Sequence, residues 1–372
     1  MSIHEYEVGL HKSLLDTPAL LLDLQVMEDN LHRMADFFKD KNVKLRPHVK
    51  LHKATPALAH RQLEAGAVGL TCAKLSEAEV LAAAGIKDIL IANQIVGERK
   101  IRRLVNLAAH TNVIVAVDSY ENVRQLSQAA EARGVKLRVL VEVDIGNARC
   151  GVEPCGPALE LSKTVAGSPG LIYVGLMGYD GHLTFQIDAA DRERLAIAAN
   201  TLLVETRRYI EGAGLEVQIV SASGTFTYKY VSRLDGITEI QAGTYLLMDT
   251  AFKEKGVDDF DCALSVLATV ISRPPRPDAE NLAIIDAGRK TLDNYYGLPE
   301  VKSPAGVTLF SMPQEHGRLR LDGPPGELEV GDKVELWVRD ANGTINLFDK
   351  FYAMRNDIVE AVWEIPGRGK ST

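Results

Sequence analysis

The feature that most constrains this chain is a regular alternation of short apolar runs with helical stretches, starting at residue 43. β-Rich runs fall at residues 44–50, 68–73, 88–93, 113–118, 137–145, 172–179, 217–223 and 239–246. Helical patterns fill most of the gaps, at 56–66, 76–84, 98–109, 120–134, 157–166 and 191–214. Three of them end at Gly66, Gly134 and Gly214, the residue type that most easily takes the left-handed turn closing a helix. The runs are apolar throughout rather than strictly alternating, which suits parallel strands covered on both faces. Eight such units over about 200 residues predict an α/β fold of the (β/α)8 TIM-barrel type. A doubly wound open sheet is the rival arrangement. The lack of a Gly-x-Gly-x-x-Gly after an early strand weakens its dinucleotide-binding form.

Past residue 260 the helical periodicity fades. Short β-rich runs at 264–271, 281–286, 307–310, 333–338 and 360–365 are separated by punctuation such as Pro274-Pro275 and Gly323-Pro324-Pro325-Gly326. They predict a C-terminal antiparallel β domain. The expected division is a barrel over residues 18–258 and a β domain of residues 1–17 plus 259–372. The apolar run 18–24 precedes the barrel, so the first residues are expected to join the β domain.

Composition narrows the class. With 46% hydrophobic and 25% charged residues the chain is ordinary globular material, and its 372 residues suffice for two domains. A net charge of −8 argues against nucleic acid as the main partner. No apolar run approaches the ~20 residues of a membrane span, and Met1-Ser2-Ile3-His4-Glu5 does not open a secretory signal. Cys72, Cys150, Cys155 and Cys262 form no Cys-x-x-Cys pair, so a reduced, cytoplasmic protein is expected.

In such a barrel the C-terminal strand ends converge on one face, where α/β barrels carry their chemistry. Strand one ends in Arg46-Pro47-His48-Val49-Lys50-Leu51-His52-Lys53, two lysines and two histidines that packing alone does not explain. Strand five ends in Glu142-Val143-Asp144, followed by a loop carrying Arg149, and strand six in Gly178-Tyr179-Asp180-Gly181-His182. Strands seven and eight end in Ser223-Gly224-Thr225 and Gln241-Ala242-Gly243-Thr244-Tyr245. Small hydroxyl- and glycine-bearing turns at those two places commonly bind phosphate in barrels. Each feature alone has a plainer reading. Lys50 can be a solvated charge, Ser223-Gly224-Thr225 an ordinary turn, and Arg149 a partner for Glu142 or Asp144. Together they suggest pyridoxal phosphate, which needs a lysine for its Schiff base and a phosphate anchor across the site.

The strand-one segment resembles the Arg-Pro-His-x-Lys-x-His-Lys signature of the D-threonine aldolase and D-serine dehydratase family, fold-type III pyridoxal phosphate enzymes related to alanine racemase. Asp16-Thr17-Pro18-Ala19-Leu20, Lys74-Leu75-Ser76-Glu77-Ala78-Glu79, Arg149-Cys150-Gly151-Val152, Gln241-Ala242-Gly243-Thr244-Tyr245 and Asp286-Ala287-Gly288 also resemble family stretches, in order along nearly the whole chain. The resemblance implies that Lys50 forms the Schiff base and that Arg149 bonds the cofactor's phenolic oxygen. It implies that Ser223, Gly224, Thr225, Gly243 and Thr244 hold the phosphate, that Tyr179 lines the cofactor, and that Gln241 and Tyr245 belong to the same site. It further implies a head-to-tail homodimer, the β domain of one subunit closing the barrel mouth of the other.

The chain departs from the pattern in two places. Family aldolases and dehydratases carry a metal pair, His-x-Asp or His-x-Cys, just before Thr-x-Asn-Leu. Here Asp340 and Asn342 occupy those positions, ahead of Thr344-Ile345-Asn346-Leu347. Imidazole binding of zinc or manganese is lost, although two oxygen ligands could still hold a hard divalent ion such as Mg²⁺ or Ca²⁺. The plain alternative is an Asp-Ala-Asn-Gly turn. The second departure is Asp180, with His182 nearby. The expected activity is a lyase of D-threonine aldolase type, cleaving a D-3-hydroxy-amino acid to glycine and an aldehyde. The alternatives are a dehydratase releasing ammonia, a metal-independent racemase or epimerase, and a non-catalytic pyridoxal phosphate-binding protein. Candidate second acid–base groups are His182, His316 and a tyrosine of the partner subunit.

Overall fold

The computed structural model describes residues 5–184, 188–322 and 328–372. Most of the N-terminal stretch read above, residues 1–4, and the punctuating Gly323-Pro324-Pro325-Gly326 lie outside them. The chain divides into two compact units, Met1–Arg33, Leu51–Thr55 and Tyr245–Gly369 forming one and Met34–Lys50, Pro56–Thr244 and Lys370–Thr372 the other.

The chain enters through β1 (Ala19–Asp23) and α1 (Leu24–Phe38). Helix α1 was absent from the patterns read above, yet Leu24, Met27, Leu31, Met34 and Phe38, spaced three and four apart, form its buried stripe. The barrel strands follow as β2 (Lys44–Leu45), β3 (Leu70–Cys72), β4 (Asp88–Gln94), β5 (Asn112–Val117), β6 (Leu137–Glu142), β7 (Leu171–Gly178), β8 (Ile219–Ala222) and β9 (Glu239–Ile240). Interleaved with them are α2 (Pro56–Glu64), α3 (Leu75–Ala83), α4 (Glu98–Ala108), α5 (Tyr120–Arg133), α6 (Gly156–Gly167), α7 (Ala189–Gly212) and the short α8 (Tyr228–Val231). The eight strands are parallel, in the order β2-β9-β8-β7-β6-β5-β4-β3. The two edges meet: the Val49 N–H donates to the Thr71 carbonyl at 2.8 Å and the Thr71 N–H to the Pro47 carbonyl at 2.9 Å. The TIM-type expectation therefore holds and the open-sheet rival does not.

The same seam explains the arginine of the strand-one motif. The buried Arg46 donates from Nε to Glu239 at 2.9 Å, tying the start of the ring to its last strand, and from Nη1 to Asp88 on β4. Gly69 leaves room for it, since a Cβ there would overlap Nη1.

In β5, β6 and β7 alternate residues share one face. Leu90 of β4, Ile114, Ala116, Leu140, Val174 and Met177 pack into one cluster, Val174 joining it at the register shift between β6 and β7. The files along β5, β6 and β7 continue this face to Asp118, Glu142 and Tyr179 at their C-terminal ends, so the alternation that builds the core also delivers polar groups to the mouth.

The other unit begins again at α9 (Thr250–Glu254). It continues through β10 (Leu264–Ser272), β11 (Leu282–Ile285), β12 (Val301–Ser303), β13 (Val307–Ser311), β14 (Gly317–Leu321), β15 (Lys333–Trp337), α10 (Ala341–Ile345), β16 (Lys350–Arg355) and β17 (Ile358–Glu364). The sheet runs β13-β14-β11-β10-β1-β16-β17, with β15 pairing β10 and β12. Strand β1, inside the range given above to the barrel, pairs here instead, antiparallel to β10 and parallel to β16. The reason is burial. Ala19 and Leu21 pack with Leu267, Tyr352 and Met354 in this unit's own core.

Candidate active site

Lys50 follows β2 directly, in the turn that the His48–Thr71 bridge begins. Its Nζ lies 5.7 Å from the centroid of the Tyr179 ring, and the Arg149 guanidinium lies 5.3 Å from the same ring. Two cations, from the first and fifth βα loops, thus stand against one aromatic ring at the end of β7. Lys50 titrates below its ordinary range, first because burial disfavours the ammonium and then because Arg149 repels it. Glu77 opposes the shift but does not reverse it. A half-buried amine poised toward its neutral form is a nucleophile.

Several residues hold this pair. The Gln94 amide donates to Glu142 Oε2 at 2.6 Å, and Arg149 Nη2 stands 3.7 Å from Glu142 Oε1. Asp144 accepts the N–H groups of Gly146 (3.0 Å) and Ala148 (3.1 Å), while Asp118 accepts that of Gly151 (3.1 Å), fixing the loop that carries Arg149. Of the two partners expected for Arg149, Glu142 is the one it faces. Glu77 accepts the N–H of Ala73 at 2.8 Å and of Lys74 at 3.0 Å, which caps α3. Gln94 and the capping role of Glu77 escaped the sequence reading. A polar residue closing an apolar strand run was the available signal for Gln94.

The remaining candidates fall in distinct places. Ser223, at a left-handed φ of 66°, and the buried Thr225 flank Gly224 just beyond β8. A Cβ on Gly224 would come within 3.5 Å of the Tyr179 ring, so this turn lies beside the same tyrosine. Gly243 passes so close to the His48 backbone that a Cβ would overlap its carbonyl, which brings the loop after β9 against the strand-one motif. Gln241 donates instead to Ser221 at 2.9 Å, and Tyr245 packs its ring 5.6 Å from Phe260. His182 lies next to Gly146 of the Arg149 loop, and its Nδ1 is buried without a hydrogen-bond partner. In the motif itself, the Lys50 N–H donates to His48 Nδ1 at 3.3 Å, and the buried His52 accepts the Thr55 N–H at 3.1 Å.

This is the donor set of a phosphate-bearing aldehyde cofactor: an amine that burial makes easier to deprotonate, an arginine, an aromatic wall, and hydroxyl–glycine turns. Fold and site together define a barrel enzyme of the pyridoxal phosphate class. Residues 22–251 match the alanine racemase N-terminal domain and residues 263–354 the putative serine dehydratase domain. The chain is 35% identical over 360 residues to the D-threonine aldolase of Arthrobacter sp, covering 96% of this chain and 94% of that one. It is 34% identical over 371 residues to the 3-hydroxy-D-aspartate aldolase of Paracoccus denitrificans, covering 97% and 94%. The crystal structure of D-threonine aldolase from Filomicrobium marinum matches it with a TM-score of 0.92 at 38% identity, covering 98% of each chain. The chain belongs to the D-threonine aldolase and D-serine dehydratase family of pyridoxal phosphate-dependent lyases, whose barrel is that of alanine racemase.

The metal position departs from this pattern. Asp340 accepts the Gly343 N–H at 3.2 Å and caps α10, and Asn342 lies within that helix. Gly343 itself is pressed against Asp293, where a Cβ would overlap the carboxylate. Among the described residues no three His, Cys, Asp or Glu side chains converge to hold an ion. A carboxylate engaged in a helix cap and a neighbouring amide do not fit a metal centre. Among the described residues no helix is long and apolar enough to cross a membrane.

Proposed function

We propose that this chain cleaves D-3-hydroxy-amino acids between Cα and Cβ, releasing glycine and an aldehyde. The observation that carries the reading is the desolvated Lys50 amine, standing with Arg149 against the Tyr179 ring in a chain that matches two aldolases of such substrates over nearly its whole length. When bound, pyridoxal phosphate supplies the electron sink that makes a carbanion at the substrate's Cα accessible. Lys50 would anchor it through its amine, which burial and Arg149 make easier to deprotonate. Arg149, oriented by Glu142, bonds the phenolic oxygen, and Tyr179 walls the ring. Ser223, Gly224, Thr225, Gly243 and Thr244 hold the phosphate, with Gln241 and Tyr245 supporting those turns. His182, through its unpartnered Nδ1, takes the β-hydroxyl proton as the Cα–Cβ bond breaks. The electron pair is left on Cα, and Lys50 returns a proton there to give glycine.

The match of residues 263–354 to the putative serine dehydratase domain keeps a second reading alive. In that reaction Lys50 would remove the Cα proton, hydroxide would leave from Cβ with a proton as water, and a water would then hydrolyse the released enamine, through its imine, to ammonia and a keto acid. We further propose a homodimer working in the reducing cytoplasm, a compartment consistent with the four free thiols Cys72, Cys150, Cys155 and Cys262.

A product panel tests the reading. Incubation with D-threonine and with D-3-hydroxyaspartate is expected to yield equal amounts of glycine and aldehyde. Ammonia with keto acid would favour the dehydratase, and solvent deuterium at Cα without cleavage would favour a racemase.

A further inference from the structure

Beneath the Ser223 turn runs a dry chain of polar groups that none of the roles above uses. Asp180, Asn200, Thr227 and Ser223 are 3%, 0%, 2% and 1% exposed, so water does not complete their hydrogen bonds. The Asn200 amide, on α7, donates to Asp180 Oδ2 at 3.1 Å and to the Ala196 carbonyl at 2.9 Å. The Asp180 carboxyl also bonds the Thr227 hydroxyl. Thr227 Oγ1 and Ser223 Oγ lie 2.8 Å apart, and the Ser223 hydroxyl also reaches the Gly224 carbonyl at 3.3 Å. The chain therefore runs from α7, past the end of β7, to the turn after β8.

Each hydroxyl has one proton to give, and an ionised carboxylate can only accept. If Asp180 is ionised, Thr227 donates to it, Ser223 donates to Thr227, and Ser223 turns only lone pairs outward. Those lone pairs repel a phosphate. If Asp180 keeps its proton, the Asn200 amide still donates to it, but the two hydroxyl bonds reverse. Asp180 donates to Thr227, Thr227 donates to Ser223, and the Ser223 proton is released from Thr227, to turn from the Gly224 carbonyl, a long 3.3 Å away, to an anion.

We infer that Asp180 is a positioning residue whose proton sets the direction of this hydroxyl chain, so that Ser223 donates to the cofactor phosphate only while Asp180 is protonated. The inference rests on the proposed phosphate role of Ser223. The groups facing Asp180 are Asn200 from α7, Thr227 from the turn after β8, and its own N–H together with His182 and Tyr179 from the segment after β7. Burial is the first influence on the carboxyl and holds its pKa above the ordinary carboxylate range. The hydrogen bonds of Thr227 and Asn200 and the charge of His182 act against it.

Equilibrium dialysis of the holoenzyme against pyridoxal phosphate from pH 6 to 9, with the 31P resonance of the bound phosphate as a second readout, tests this. Asp180→Asn keeps the shape and donates to Thr227 at every pH. Wild-type affinity is expected to fall relative to Asp180→Asn by up to tenfold per pH unit once Asp180 ionises, the slope for one linked proton. Thr227→Val should weaken binding and abolish that excess pH dependence, and Thr227→Ser should restore both. A ratio of wild-type to Asp180→Asn affinity that stays constant with pH, with 31P shifts that titrate alike, overturns the inference while leaving the cofactor reading intact. Failure of both proteins to bind pyridoxal phosphate overturns the two together.

Discussion

The strand-one motif packs opposite duties into neighbouring residues. Burial and Arg149 lower the pKa of Lys50, while Arg46, four residues earlier, stays charged between Glu239 and Asp88. For Arg46 the attraction of Glu239 and Asp88 outweighs its burial. Its replacement would leave Glu239 buried and uncompensated. Arg46→Met is expected to lower unfolding free energy by about 3–5 kcal/mol, the usual cost of breaking a buried pair from one side. Urea titration followed by circular dichroism reads it, and a loss under about 1 kcal/mol would mean that the seam does not depend on this pair. Lys50 and Arg149 were legible because both sit at loop positions where a barrel keeps its chemistry. The structural duty of Arg46 was not. It depends on Glu239 and Asp88, 193 and 42 residues away along the chain.

At the scale of elements, the position of the family's metal pair has become a helix cap. Asp249 caps α9 through the Phe252 N–H at 2.9 Å and reaches across to the Ala341 N–H, at the start of α10, at 3.1 Å. Burial, with the charge of Asp340 adding to it, raises the Asp249 carboxyl from 3.8 to about 6. The native state therefore holds this proton more tightly than the unfolded chain does. The stability it contributes is present below about pH 4 and is lost as pH rises through about 6, roughly 3 kcal/mol in all. Asp249→Asn should flatten that part of the profile, so that melting temperatures measured from pH 4 to 7 fall less than in wild type. Parallel profiles would remove Asp249 as the cause. Here the sequence was ambiguous for a physical reason. Asp-Ala-Asn-Gly suits a turn, a helix cap or an oxygen-rich ion site equally well, and only the N–H groups that Asp340 meets decide among them.

At the scale of the molecule, short apolar runs alternating with helical stretches closed by glycine made the barrel readable, because each β/α unit carries its own local signal. Strands β12, β14 and β16 escaped notice: β14 alternates arginine with leucine on a half-exposed sheet, and β12 is only three residues long. Strand β1 was an apolar run whose partners, β10 and β16, lie more than 240 residues further along the chain. Pairing over such a distance leaves no local mark. The central claim is that Lys50 anchors pyridoxal phosphate in a lyase of D-3-hydroxy-amino acids. The most direct measurement compares wild type with Lys50→Ala, recording the near-visible cofactor absorbance and the glycine released from D-threonine, before and after dialysis against a chelator. The account predicts an absorbance band and glycine release in wild type, both surviving chelation, and neither in Lys50→Ala. Equal band and equal glycine in the two proteins would contradict it.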